Sequence, residues 1–128
     1  MRLSILFSLF IILGISANAS ILQVSGEVSG TWNADTVQVM DDIIVPNNQS
    51  LFINPGVKVI FDGYYYFTIA GQIQANGLEN DSISFFVSDT TGLHSLENNN
   101  GAWAGFWFDN LATSNDSSTF DYCQFKYG

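Results

Sequence analysis

The chain has 128 residues and a formal net charge of −9, with twelve Asp and Glu against three Lys and Arg. That length bounds it to one domain, and the charge opposes direct binding to nucleic-acid phosphates or anionic lipid. The acidity is not a mark of disorder, because the chain holds eleven Phe, five Tyr and three Trp, and disordered chains lack such residues.

The first nineteen residues read as a cleavable signal peptide. Arg2 gives a short positive start, Leu3 to Ile15 is apolar apart from Ser4, Ser8 and Gly14, and Ala17-Asn18-Ala19 is an A-x-A cleavage site before Ser20. The apolar run is shorter than the roughly 20 residues needed to cross a bilayer. No Cys follows it, which disfavours a lipid-anchored start. The expected location is therefore extracellular or at the cell surface. A chain starting at Ser20 keeps Lys58 and Lys126 against twelve carboxylates, a net charge of −10, and has no Arg. Cys123 is the single cysteine, so it forms no internal disulfide. Stability must come from elsewhere, and stacking of repeated layers is the obvious route.

Residues 20–36 are polar and Gly-rich and read as a lead-in or cap. Val37, Val39, Ile43 and Val45 then alternate with polar neighbours, interrupted by a turn at Asp41-Asp42. Leu51-Phe52-Ile53 forms a short strand that ends at Asn54-Pro55-Gly56, where Pro fixes φ and Gly accepts a positive one. Val57, Val59 and Phe61 share a side, as do Phe67 and Ile69, then Ile73 and Ala75. Asn76-Gly77 is a turn dipeptide, and Ile83, Phe85 and Val87 make the next strand. The steps from Val39 to Val59, Phe85 and Trp107 are 20, 26 and 22 residues, within the range of solenoid repeats. Val59 and Phe85 are expected as inward neighbours of stacked coils. Ser88 to Gly101 reads as a loop extruded at a corner. Phe106 and Phe108 are expected inward, with Trp107 outward between them. Phe120 and Tyr122 have one parity, while Cys123, Phe125 and Tyr127 have the other, so the chain must bend near Tyr122.

The order D-I-I-V-P, S-L-F-I-N-P-G-V-K-V-I-F, G-Q-I-Q-A-N-G, W-A-G-F-W-F and S-T-F-D-Y-C-Q-F-K-Y-G resembles the opening of a right-handed parallel β-helix. It is similar to exported bacterial surface proteins of that pectate-lyase-like superfold. The resemblance covers Thr31 to Gly128. It implies an all-β solenoid of three to four coils over 37–128, following the signal peptide. Such proteins usually run on for more coils, and a solenoid needs a polar cap over its last one. A longer parent chain, or a partner over the open end, is therefore expected, and self-association through that end is an alternative. The resemblance implies no single activity.

The candidate chemistry is sparse. Asp41-Asp42 is a paired carboxylate of the kind used in glycoside hydrolysis, but Asp is also a common turn residue. Asp35, Asp41, Asp42, Asp62, Asp81 and Asp89 are hard oxygen donors for calcium, but no calcium-loop or calcium-repeat motif arranges them. A β-helix lyase combines such acids with a basic residue, and only Lys58 or Lys126 is present for that role. His94 lies in the polar loop without a matched nucleophile and acid. Cys123 reads as a small apolar group in the core. Tyr64-Tyr65-Tyr66-Phe67 cannot all point inward, so Tyr64, Tyr65 and Trp107 are the candidate stacking residues for a sugar or a protein, set against the plainer and preferred reading that loops fold over them or that a neighbouring coil's aromatics form an outer ladder with them. The expectation is an exported structural or binding module, adhesin-like or glycan-contacting, with no catalytic residues in this segment. The alternative is the first part of a polysaccharide lyase or glycoside hydrolase with its active site beyond residue 128.

Overall fold

The computed structural model describes residues 19–95, 97–109 and 116–128. The expected signal peptide falls outside them except for Ala19. Eleven strands and no helix appear among the described residues: β1 Ile21–Glu27, β2 Gly30–Trp32, β3 Thr36–Val45, β4 Ser50–Ile53, β5 Lys58–Phe61, β6 Phe67–Ile69, β7 Gln72–Asn76, β8 Ile83–Val87, β9 Phe106–Phe108, β10 Thr119–Asp121 and β11 Cys123–Phe125.

Every pairing between these strands is parallel. Parallel partners cannot be joined by a tight hairpin, so the chain must travel elsewhere before it returns. Between Leu51 of β4 and its partner Ile73 of β7 it passes through β5 and β6. One sheet has the order β10-β7-β4-β2. The other runs β11-β8-β5-β3-β6-β9, with β1 along the remaining edge of β3.

β3 explains how one sheet has two arms. Residues 36–39 pair with β5, and residues 43–45 pair with β6. The expected turn at Asp41-Asp42 is therefore a corner inside a continuous ten-residue strand. The paired acids break the apolar alternation without ending the strand. The opposite partner β1 shifts register at the same level, between Val24 and Gly26, and Gly26 takes a φ of 68° there. The expected lead-in of residues 20–36 thus contains two strands. The Gly residues and short polar stretches hid them from a period-of-two reading.

Register builds columns of inward side chains. Val37, Val59, Phe85 and Phe125 follow one another through β3, β5, β8 and β11. Val39, Phe61 and Val87 form the next column, and Ile43, Phe67 and Phe106 form one on the second arm. In the other sheet, Trp32, Ile53, Ala75 and Phe120 align, with small Ala75 between bulkier neighbours. Trp32 reaches across to Phe67, with ring centroids 6.0 Å apart, so both sheets share one core. Burying each Phe or Ile of such a column contributes about 1.5–3 kcal/mol relative to exposure.

Val59 and Phe85 are paired neighbours, as expected. The other two steps are corrected. Val59 pairs with Val37 on its far side, not Val39. Phe85 is followed by Phe125, while Trp107 pairs with Thr68 on the second arm. The long segment after Val87 moves Trp107 into a different column. Phe108 is also corrected: it aligns on Ile69 but remains 48% exposed, because it stands at the end of its column. The bend expected near Tyr122 is present, with Tyr122 at a φ of 47° between β10 and β11.

One buried polar group crosses between levels. Gln72 accepts a hydrogen bond from the Ser50 hydroxyl at 2.9 Å and donates to the Ser117 carbonyl at 3.0 Å. Its burial is tolerated because both ends of the amide are satisfied.

Candidate functional site

The three candidate aromatics do not behave alike. Tyr64 is 40% exposed and Trp107 is 56% exposed. Tyr65 is half-buried against the core, and its ring lies over Gly63, where any Cβ would sit 3.0 Å from it. The Tyr65 N–H donates to the Gly63 carbonyl at 2.9 Å, which tightens the turn and rotates the side chain inward. Tyr66 takes the outer position instead, 38% exposed. Its ring centroid is 6.1 Å from Tyr64 and 5.8 Å from Trp107. Tyr64, Tyr66 and Trp107 therefore form a continuous outer row.

The row follows from strand alternation. Phe67 and Phe106 are paired and point inward, so Tyr66, which immediately precedes β6, and Trp107, within β9, point outward. The rings are inclined to one another by 73° and 62°. The surface is a corrugated strip in which neighbouring rings are not coplanar. The signal in the sequence was the alternation counted back from Phe67, which selects Tyr66 over Tyr65.

A cleft of about 310 Å³ opens beside Tyr64, between the Asp62-Gly63 turn on one side and Ser88, Asp89, Thr91 and residues 99–102 on the other. Its floor is set by the pairing of Phe61 with Val87, which places Asp62 beside Ser88. The Ser88 hydroxyl donates to Asp62 Oδ1 at 3.1 Å, and the Ser88 N–H donates to the Phe61 carbonyl at 2.9 Å. Asp89 accepts from the Thr91 N–H at 2.9 Å. Hydrogen bonds from the Thr91 hydroxyl and then its N–H hold the Asp89 carboxyl below the usual range. The far wall holds Asn99 and Asn100. Gly101 closes it at a φ of 82°, where a Cβ would strike the Leu93 nitrogen and the Thr90 carbonyl.

The other candidates are scattered. Asp42 Oδ1 accepts from the Tyr66 N–H at 2.9 Å, and Asp41 Oδ1 accepts from the Asp42 N–H at 2.7 Å, so the pair braces the corner of β3. Asp35 binds the Ser20 N–H at 2.9 Å. The Asp81 carbonyl accepts from the Gly56 N–H. Among the described residues no group of three or more His, Cys, Asp or Glu is placed to hold a metal ion. His94 is exposed in the loop, and Lys58 points outward from β5. Cys123 is half-buried, with its thiol 3.5 Å from the Ala75 carbonyl.

The chain matches no family model, no curated protein and no solved structure. Among the described residues no helix is long and apolar enough to cross a membrane.

Proposed function

We propose that the chain is an exported, right-handed parallel β-helix module that contacts glycans through the outer row of Tyr64, Tyr66 and Trp107. The observation that carries the reading is the row itself: three neighbouring rings held outward by strands whose alternate residues are fixed in the core. Exposed aromatic faces on a rigid sheet bind at low entropic cost, because their orientation is already set. Their apolar faces suit the C–H face of a pyranose, while the phenol and indole edges remain available to its hydroxyls. The parallel pairing and the repeated return of the chain to the same strand positions support the β-helix part of the reading. The resemblance in sequence supports the export.

A glycan array followed by affinity measurement on the best neutral oligosaccharide tests the proposal. Retention that falls on Tyr66→Ala and on Trp107→Ala, with Tyr65→Phe unchanged, is the expected pattern. Retention on no glycan, or retention indifferent to both substitutions, would sink it.

A second surface is the aromatic end formed by β9, β10 and β11. Phe106, Phe120 and Phe125 cluster there with centroids 5.1 to 5.7 Å apart, and Phe125 is 50% exposed. We propose that this end carries self-association of the module.

A further inference from the structure

We infer that the cleft beside Tyr64 is a subsite for an amine-bearing sugar, which gives the glycan surface a preference for a free ammonium over a hydroxyl or a carboxylate. The inference rests on the glycan reading through Tyr64, which belongs to both the cleft and the outer row.

The chemistry of the lining is one-sided. Asp62 and Asp89 contribute two carboxylates, Tyr64 an aromatic ring, and Ser88, Asn99 and Asn100 neutral hydrogen-bonding groups. Among the described residues no Lys, Arg or His lines the cleft. The only lysines of the chain, Lys58 and Lys126, lie on other parts of it. A uronic acid would meet two like charges with no compensating cation. A neutral sugar would find hydrogen-bond partners but no charge advantage. An ammonium gains from both carboxylates and from the face of the tyrosine ring.

The cleft is also built before any ligand arrives. Asp62 is fixed by Ser88, Asp89 by Thr91, and the two segments by the pairing of Phe61 with Val87. The far wall of Asn99 and Asn100 leads to Trp103, which is buried and donates from its indole to the Lys126 carbonyl at 2.8 Å. Both carboxylates are exposed, but each is held by a hydrogen bond and so gives up less on binding than a freely rotating one. The volume of about 310 Å³ is at the lower limit of ligand pockets and fits a single sugar residue. One ring of an oligosaccharide then sits in the cleft while its neighbours extend along the aromatic row.

The test compares three probes at matched ionic strength by NMR titration: a trimer of β-1,4-linked glucosamine, the glucose trimer of the same linkage, and glucuronate. The glucosamine trimer is expected to bind about 3- to 10-fold more tightly than the glucose trimer. It should perturb the amides of Asp62, Ser88 and Gly101, and the preference should shrink as salt is added. Glucuronate should leave those amides unmoved. The double variant Asp62→Asn with Asp89→Asn keeps the acceptors for Ser88 and Thr91 but removes the charge. It should bind both trimers equally and melt as the unaltered protein does. Equal affinity of the native protein for the two trimers, or a preference that survives the double variant, would overturn the cleft assignment. Binding of neither trimer would overturn the cleft assignment; the glycan reading falls with it only if no glycan of the array is retained either. Binding of the glucosamine trimer with Asp62 and Ser88 shifts but no effect of Trp107→Ala would keep the cleft and remove the row.

Discussion

Trp103 lies flat on Phe61, with ring centroids 4.3 Å apart and planes inclined by 11°. That contact ties the segment leaving β8 back to the core at the level of β5. Trp103 also meets Phe85 and Phe106, at 6.4 and 5.2 Å, and so joins both arms of the larger sheet. Trp103→Ala is expected to cost about 3–5 kcal/mol, a large share of a domain's usual stability of about 5–15 kcal/mol. Trp103→Phe loses only the indole hydrogen bond and part of the stacked area, and should cost less. Urea denaturation of the two variants checks the order. An unchanged midpoint for Trp103→Ala would show that the segment holds its place without the indole.

The inward columns were legible because strand alternation leaves a direct mark on sequence. Val57, Val59 and Phe61, or Ile83, Phe85 and Val87, announce a buried face by parity alone. What parity cannot carry is which strand lies beside which. The step from Val59 to Val37 differs by only two residues from the one expected to Val39, yet it is set by backbone pairing across the corner at Asp41-Asp42. Trp103 was missed for a related reason. It belongs to no strand and interrupts no alternation, so only the folded chain shows it beneath Phe61. The outer row was half legible: alternation counted back from Phe67 turns Tyr65 in and Tyr66 out, but the closing of the Tyr65 ring over Gly63 shows only in the folded chain.

Gly71 sits where β6 gives way to β7, with no room for a side chain. A Cβ there would strike the carbonyl oxygens of Gln49 and Pro46. Both carbonyls are already committed, to the Gln72 and Gln49 N–H groups at 2.9 and 3.1 Å, so neither moves without breaking a backbone bond. Gly71→Ala is expected to destabilise by about 1–3 kcal/mol, the range for forcing atoms into a packed site. Thermal melts measure it. A rise in stability, as for Gly→Ala at an unconstrained position, would contradict the close approach.

Cys123 is expected to be chemically quiet near neutral pH. Burial, and secondarily the charge of Asp121, push its thiol up from its ordinary value of 9.0 to about 11. Because the thiolate is the reactive form, alkylation by iodoacetamide at pH 8 should be much slower in the folded protein than in urea. The folded rate should rise as pH climbs from 9 towards 11. The sign for stability follows by linkage: the fold favours the protonated thiol, so this contribution is complete below about pH 9.0 and declines as pH rises towards 11. Cys123→Ala should remove that part of the alkaline decline. Equal alkylation rates in folded and unfolded protein at pH 8 would show the thiol to be freely solvated.

Phe125 stacks on Phe85 at 5.2 Å and 15° and meets Phe106 and Phe120 edge-on, yet it stays half-exposed, and among the described strands β11 pairs only with β8. Phe108 is in the same position on β9. Unpaired strand edges beside half-exposed aromatics are templates for association, opposed here by the strong negative charge of the chain. Salt screens that repulsion without weakening apolar contact. Light scattering should therefore give a mass that grows with concentration, and grows more steeply at high salt. The double variant Phe108→Glu with Phe125→Glu should remain monomeric under both conditions. Since both side chains are half-exposed, it should also keep a cooperative melt. A native protein that stays monomeric at high salt and high concentration would show that the aromatic end has no affinity for itself. The negative charge would then not be what holds copies apart.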